Sequence, residues 1–324
     1  MFKYCIFISL LTALLTGCST TSPVFLASSQ ASVASQAKSK IDASALLSDF
    51  EMLSSEAFAG RKYGTEGNLK AQQFIANELA NGDISAFKGE FLHAFEYKRG
   101  LTTYAGTNVI GFKAGETDKV IVLTAHFDHL GKRGSKIYYG ADDNASGTAA
   151  LLHIAKALQT MQTRHSYIYL FTDAEEENLV GANAFAQDFE GDLANIILNV
   201  NMDMLAGAQY TKRLYYLPYK LDDLGVDDWQ SALGYYAKTH DISIRKGPRA
   251  YHSFKGQKKK TNWRKASDHG VFYRYKIPFL YFGVGVHQNY HTPEDTFENT
   301  NHNFYIGTVH TIFDQLYNLD QQIQ

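Results

Sequence analysis

Strongly apolar segments that read as strands alternate with segments of helical spacing along most of the chain. The strand-like runs include KVIVLTAHFDH (119–129), SYIYLFTDAEEE (166–177) and LANIILNVNMDML (193–205), and the first is of the kind buried on both faces of a sheet. The segments 145–158 and 227–240 carry helical apolar spacing. This alternation predicts a single α/β domain with a mostly parallel central sheet flanked by helices.

Two further segments give more local predictions. In the helical segment 65–81, Leu69, Phe74, Ile75 and Leu79 share one predicted apolar face. The basic run KGQKKKTNWRK (255–265) is interpreted as a solvated surface loop.

The amino-terminal segment has the pattern of an export signal. MFKYCIFISLLTALLTGCSTTS has one Lys, an apolar run and then small residues, and it is too short and too weakly flanked for a stable membrane span. Leu15 to Cys18 resembles a bacterial lipobox, although a plain signal peptide that contains a cysteine is the alternative. The lipobox predicts a signal peptide over 1–17, a Ser/Ala-rich tether over 18–41 and a folded domain over 42–324. Lipid on Cys18 would anchor the exported chain in the cell envelope, and Ser19 favours the outer membrane and periplasm.

Cysteine and charge content exclude several classes of site. The two cysteines, Cys5 and Cys18, both lie in the leader, so the folded part has no thiolate ligand, cysteine nucleophile or disulfide. Any metal must therefore be held by histidine and carboxylate. Lys and Arg total 31 and Asp and Glu total 33, which gives no attraction toward nucleic acid.

Acidic residues follow the predicted strands, where a parallel sheet gathers ligands into one crevice. So much negative charge in one cleft requires cations, and Zn²⁺ suits a mixture of imidazole and carboxylate. Either His287 or His291, after the last apolar strand, can supply a further histidine. The residues at these strand ends are His126, Asp128, Asp142, Asp143, Glu175, Glu176, Glu177 and Asp203.

Several of these motifs, in this order, resemble those of the zinc-dependent M28 peptidases, which include bacterial aminopeptidases with two zinc ions. The resemblance covers nearly all of the chain after the tether. It is carried by AHFDH (125–129), GADDNASG (140–147), AEEENLVGA (174–182), NMDM (201–204) and YHTPEDT (290–296), and SDHGVF (267–272) resembles a segment that supports the pocket. Asn178 and Ala182 depart from the family pattern, but both lie beyond the expected ligands.

The resemblance implies two zinc ions and a role for each matched residue. Asp142 would bridge the two ions, followed by a cis peptide bond to Asp143, and Asp128 would orient His126 through its other ring nitrogen. Glu175 would be the general base, with a one-residue shift to Glu176 and Glu177 as the alternative register. The implied ligands are His126, Asp142 and Asp203 for one ion, and Asp142, Glu176 and His291 for the other.

The expected function is that of an exopeptidase acting on peptides, most simply an aminopeptidase. Three alternatives remain at this point: a carboxypeptidase or dipeptidase of the same family, a glutaminyl cyclase, and a non-catalytic binding lipoprotein. The sequence leaves the side-chain preference, the native metal and the oligomeric state open.

Overall fold

The computed structural model describes residues 40–189, 193–248, 251–254 and 257–324. The predicted signal peptide, Cys18 and nearly all of the predicted tether lie outside these residues. The helix Ala43–Leu53 follows Asp42, whose carboxylate accepts hydrogen bonds from the backbone N–H groups of Ser44 and Ala45. Within the described ranges, no helix is both long enough and apolar enough to span a membrane.

The α-helices of the described chain flank one large sheet. They are α1 (Ala43–Leu53), α2 (Glu66–Asn81), α3 (Gly147–Gln159), α4 (Val180–Asp188), α5 (Trp229–Thr239), α6 (His269–Arg274) and α7 (His302–Gln322).

The strands form the large sheet and two small hairpins. The sheet contains β1 (Ser85–Ala86), β2 (Leu92–Arg99), β3 (Thr102–Lys113), β4 (Thr117–His126), β7 (His165–Thr172), β8 (Ile196–Met202), β9 (Arg213–Tyr219), β10 (Ser243–Lys246) and β13 (Phe279–Gly283). The hairpins pair β5 (Gly131–Arg133) with β6 (Lys136–Tyr138), and β11 (Tyr251–Phe254) with β12 (Gln257–Lys260).

The sheet has the order β1-β3-β7-β4-β8-β13-β9-β10, with β2 also paired to β3. Its central strands β7, β4, β8 and β13 are parallel. Antiparallel pairing begins on either side of them, between β3 and β7 and between β9 and β13. The predicted α/β domain with a helix-flanked sheet is therefore confirmed, with four parallel strands at its centre and one further parallel pair, β9 and β10, at its edge.

Strand β4 shows why the central segments are so apolar. Ile121 and Leu123 face the larger core cluster, which includes residues of α1, α3 and α7. Val122 faces the opposite cluster, with Phe185 of α4 and Phe272 of α6. Because both faces of β4 are covered, the strand needs apolar side chains at odd and even positions alike.

Helix α2 forms where its spacing predicts it, and the predicted Ile75 and Leu79 are buried, but its buried face is rotated away from Leu69. Leu69 is 61% exposed, whereas Asn68 and Gln72 are buried beside Ile75 and Leu79. The amide of Asn68 donates to the carboxylate of Asp173 at 2.8 Å, and Gln72 donates to Asn68 at 2.7 Å. A buried acceptor thus sets the rotation of the helix more strongly than one exposed leucine.

The described part of the basic run, 257–265, contains regular structure where a surface loop was predicted. Residues 257–260 form β12 of a hairpin, and a short helical turn follows at Trp263–Lys265. Trp263 lines the cavity that contains the predicted site. The segment therefore supplies part of a pocket wall.

Candidate active site

The predicted site residues converge at the carboxyl ends of β4, β7 and β8. A cavity of about 320 Å³ opens there, and it has acidic, imidazole and apolar walls. Its apolar wall comes from Met204, Trp263, Val286 and Tyr290. A larger open depression beside α5 and α7, of about 930 Å³, contains none of the predicted ligands.

One group of potential ligands, called here the His126 cluster, consists of His126, Glu175 and Asp203. His126 is the last residue of β4, and Asp203 directly follows β8. Nε2 of His126 lies 3.5 Å from Oδ1 of Asp203. These ligand atoms lie close enough together to contact one cation.

A second group, called here the His291 cluster, consists of His129, Asp143, Glu176 and His291. Nε2 of His291 lies 3.0 Å from Oδ2 of Asp143 and 3.2 Å from Oε1 of Glu176. Nδ1 of His129 lies 3.0 Å from the same Glu176 oxygen. The ring of Tyr290 stacks on His291 with centroids 3.8 Å apart, which fixes the plane of the imidazole.

The carboxylate of Asp143 lies between the two clusters. Its Oδ1 is 3.3 Å from Nε2 of His126, and its Oδ2 faces His291. One carboxylate therefore directs one oxygen toward each group, which is the arrangement expected of a bridging ligand.

The prediction of Asp142 for the bridging position disagrees with this geometry. Oδ1 of Asp142 accepts hydrogen bonds from the backbone N–H groups of Ala206 and Gly207, at 2.7 and 2.8 Å. Its Oδ2 lies 2.8 Å from Nε2 of His287. Both oxygens of Asp142 thus have partners outside the two clusters, and His287 also belongs to neither cluster.

The backbone path explains the one-residue difference. Gly140 has φ +59°, and Asp143 and Asn144 have non-helical dihedral angles within the turn that leads into α3. The cis peptide bond joins Asp143 to Asn144, one residue later than predicted. Asp295 accepts hydrogen bonds from the N–H groups of Asp142 and Asp143, at 3.0 and 3.1 Å, and so holds this turn in place.

Asp128 supports both the first histidine and the glutamate loop. Nδ1 of His126 lies 3.2 Å from the backbone oxygen of Asp128 and 3.7 Å from its carboxylate. The carboxylate accepts hydrogen bonds from the N–H groups of Glu175 and Glu176, at 2.9 and 3.3 Å. The side chain predicted to orient His126 therefore also positions the loop after β7.

The glutamates after β7 lie in different environments. Glu175 belongs to the His126 cluster and Glu176 to the His291 cluster, whereas Glu177 belongs to neither. In the described structure, the backbone oxygen of Glu177 accepts a hydrogen bond from Arg99. This arrangement favours the register that assigns Glu175 and Glu176 to the site.

The pKa values of these residues follow from burial and from their neighbours. Burial and the carboxylates of Glu176, Asp268 and Asp203 raise the pKa of Glu175 well above its usual range, against the effect of His126. Burial and Asp143 would also raise the pKa of Glu176, but His129 and His291 lower it to about 2. Burial would lower the pKa of His291, yet Asp143 and Glu176 raise it to about 10.

The donor set fits a divalent cation. Buried atoms without a hydrogen-bond partner in the described structure include Nδ1 of His129, Oε1 of Glu176 and Oδ1 of Asp203. All of them face the clusters, and an unpaired buried polar atom is costly. Imidazole nitrogen and carboxylate oxygen are ligands that Zn²⁺ accepts.

Two residues that shape the site, His129 and Arg61, have no predicted role from the sequence. The family resemblance assigns no role to His129, although it lies in the same AHFDH motif as His126. Arg61 lies in a turn-rich loop with no motif of its own, yet it is fully buried. Asp268 lies in the SDHGVF segment that was expected to support the pocket, and it accepts a hydrogen bond from Thr172 at 2.6 Å, behind the His126 cluster.

The model of peptidase family M28 matches residues 108–314 of the chain. The chain belongs to peptidase family M28. The match contains all residues of both clusters. This M28 chain is 25% identical to the alkaline phosphatase isozyme conversion protein of Escherichia coli over 46% of its length and 47% of that protein's. It is 26% identical to aminopeptidase YwaD of Bacillus subtilis over 62% of its length and 42% of that protein's. The matches therefore span less than half of these curated relatives.

Solved structures share the fold of this M28 chain at low sequence identity. The LapA aminopeptidase of Legionella pneumophila aligns with a TM-score of 0.68 and 16% identity, covering 98% of this chain and 78% of that one. A glutaminyl cyclase of Bacteroides thetaiotaomicron aligns with a TM-score of 0.65 and 19% identity, covering 86% and 98%. Proteins with different named activities thus share this architecture, so function depends on the site and not on the fold alone.

Proposed function

We propose that this M28 chain is a zinc exopeptidase with two metal ions, and specifically an aminopeptidase. The observation that carries the proposal is the carboxylate of Asp143, which directs one oxygen to each of two adjacent His/carboxylate clusters beside Glu175. Aminopeptidase YwaD, among the relatives, supports the choice of reaction.

The metal assignment follows the two clusters. His126, Asp143 and Asp203 would hold one ion, and Asp143, Glu176 and His291 would hold the other. Bound at such a site, zinc lowers the pKa of a water molecule and polarises a carbonyl oxygen.

Glu175 is the acid–base residue of the proposed reaction. Because the pKa of Glu175 is raised, its carboxylate is a stronger base. It can take a proton from water and return it to the leaving amine. Asp128 holds the Glu175 backbone N–H and thereby sets the position of the carboxylate. The carboxylates of the clusters also provide an acidic environment for a free α-amino group.

The cavity supports recognition of one apolar side chain. Met204, Trp263, Val286 and Tyr290 form its apolar wall next to the two clusters. A volume of about 320 Å³ lies at the small end of the range for ligand pockets, and it suits one terminal residue better than a long peptide.

The test is hydrolysis by the full-length chain of a panel of aminoacyl-anilides and their N-acetylated copies, before and after chelation and zinc restoration. We expect cleavage of the free-amine substrates alone, lost with chelator and restored by zinc. Cleavage of C-terminal residues or dipeptides instead would indicate a carboxypeptidase or dipeptidase, and cyclisation of N-terminal glutamine would indicate a glutaminyl cyclase. A folded chain that binds peptide without cleaving it would indicate a binding lipoprotein.

We also propose that the chain is exported and anchored in the cell envelope by lipid on Cys18, with the outer membrane favoured by Ser19. The support is the lipobox-like segment before Cys18. Metabolic labelling with a fatty acid should mark the wild-type chain and leave Cys18→Ala unlabelled and released from the membrane fraction. Equal labelling of both chains would contradict the anchor.

A further inference from the structure

The His291 cluster contains one more potential ligand than the family resemblance implies. We infer that His129 is a direct metal ligand, so that one ion has four protein ligands: His129, Asp143, Glu176 and His291. This inference rests on the proposed metal centre and adds an asymmetry to it. The other ion, with His126, Asp143 and Asp203, would keep an open position.

Four interatomic distances within the His291 cluster are close to those of a tetrahedral site. With bonds of about 2.0–2.1 Å to zinc, the ligand atoms of a tetrahedron lie about 3.3 Å apart. Nδ1 of His129 lies 3.0 Å from Oε1 of Glu176 and 3.8 Å from Oδ2 of Asp143. Nε2 of His291 lies 3.0 and 3.2 Å from the same two oxygens. His129 thus supplies a fourth potential ligand atom beside those of Asp143, Glu176 and His291.

The burial of His129 supports a ligand role. The residue is 1% exposed, and neither ring nitrogen makes a hydrogen bond within the described part of the chain. Its Nδ1 lies close to Glu176, but Oε1 of Glu176 is also without a hydrogen-bond partner there. A cation bound by both atoms, which lie 3.0 Å apart, would satisfy both of them at once.

The backbone around His129 keeps the ring in that position. The N–H of His129 faces the backbone oxygen of Arg61 at 3.4 Å, and a bridge to Lys62 continues the contact. On the other side, a Cβ added to Gly140 would lie 2.5 Å from ring atoms of His129. The imidazole is therefore confined between Gly140 and the cluster.

The two ions would therefore have different roles. Zinc sites with four protein ligands are typically structural, whereas catalytic sites keep an open position. The ion held with His129 would be the tightly bound one. The open position would lie on the side of the His126 cluster, to which Glu175 belongs.

The main rival is a positioning role, in which His129 only donates a hydrogen bond to Glu176. Asn and Ala substitutions separate the two roles. In His129→Asn the side-chain amide can replace the Nδ1–H donor but is a poor zinc ligand, whereas His129→Ala removes both functions. His153→Asn is the matched control, because His153 is a buried histidine that pairs with Asp49 at 2.9 Å and lies outside both clusters.

The experiment is zinc titration of the chelated full-length chain in detergent by calorimetry, with metal content measured by mass spectrometry and folding checked by circular dichroism. We expect two classes of site in the wild-type chain and in His153→Asn. Both His129 variants should lose more than about 100-fold in affinity at the tighter class, beyond the 10–100-fold typical of an outer-shell partner. Wild-type affinity in His129→Asn, or a loss of about 100-fold or less in both variants, would overturn the inference.

Zinc X-ray absorption of the wild-type chain gives a second measurement that needs no variant. Three imidazole ligands shared by two ions would support the inference, and two would contradict it. A chain that binds one ion in a His129-dependent way would sink the dinuclear proposal while leaving this inference standing. A wild-type chain that binds no zinc would overturn both.

Discussion

The carboxylates of Asp142 and Asp143 face different environments although the residues are adjacent. Asp142→Ala should lower the free energy of unfolding by about 3 kcal/mol or more, because each buried N–H left unpaired, at Ala206 and Gly207, costs about 1–3 kcal/mol. Asp143→Ala should instead lose bound zinc. Urea denaturation and metal analysis of both variants check this. Loss of zinc in Asp142→Ala, with zinc retained in Asp143→Ala, would return the bridging role to Asp142.

Glu175 and Glu177 provide a matched pair for testing the acid–base role. Glu175→Gln should lower kcat by about 100-fold to 10,000-fold, the usual contribution of a general acid–base group, while zinc content stays unchanged. Glu177→Gln should leave kcat within about twofold, because Glu177 lies outside both clusters. Steady-state kinetics on an aminoacyl-anilide measures both. The reverse result would support the shifted register, with Glu176 as base.

At the level of elements, Arg61 joins segments that carry the site. Its buried guanidinium donates to the backbone oxygens that end α1, follow β4 and precede the turn into α3. These acceptors belong to Leu53, Phe127, Tyr139 and Gly140, at 2.6–2.8 Å. A planar group with several fixed donors can satisfy these acceptors together, which a lysine ammonium cannot.

Substitution of Arg61 should therefore affect stability and metal binding together. Arg61→Lys should lower the free energy of unfolding by about 2–4 kcal/mol, since at least one buried carbonyl would lose its partner at about 1–3 kcal/mol. Zinc affinity should fall as well, because Phe127 and Gly140 flank ligand-bearing residues. Arg133→Lys, an exposed residue over the ring of Tyr138, is the control. Equal urea midpoints for the two variants would contradict this role of Arg61 in joining the segments.

At the scale of the whole molecule, the clusters place several buried carboxylates at one end of the sheet. Zinc present at about 1,000 times its dissociation constant would stabilise the fold by about 4 kcal/mol. Chelation should then lower Tm by roughly 10 °C, at about 2–4 °C per kcal/mol for a domain near this size. Differential scanning calorimetry with chelator, and after zinc restoration, measures the shift. An unchanged Tm would argue against metal in the native fold.

The α/β architecture and the edge of the sheet that holds the site can both be predicted from the sequence. Continuous apolar runs mark strands buried on both faces, and acids at their ends mark the edge where a parallel sheet collects ligands. His126, Glu175, Glu176, Asp203 and His291 could be placed at that edge because each directly follows a strand or lies in a matched motif. These are local signals, so periodicity and residue order suffice to read them.

Which side chains reach the clusters depends on the path of the backbone between elements, and this path is visible only in the tertiary structure. The turn at 140–147 directs Asp143 to the clusters and Asp142 to the loop 206–207, and a one-residue difference in such a turn leaves no periodic signal. His129 joins the His291 cluster because the chain turns after β4, and Arg61 reaches carbonyls from three distant segments. Such contacts depend on long-range packing, which a single sequence does not reveal.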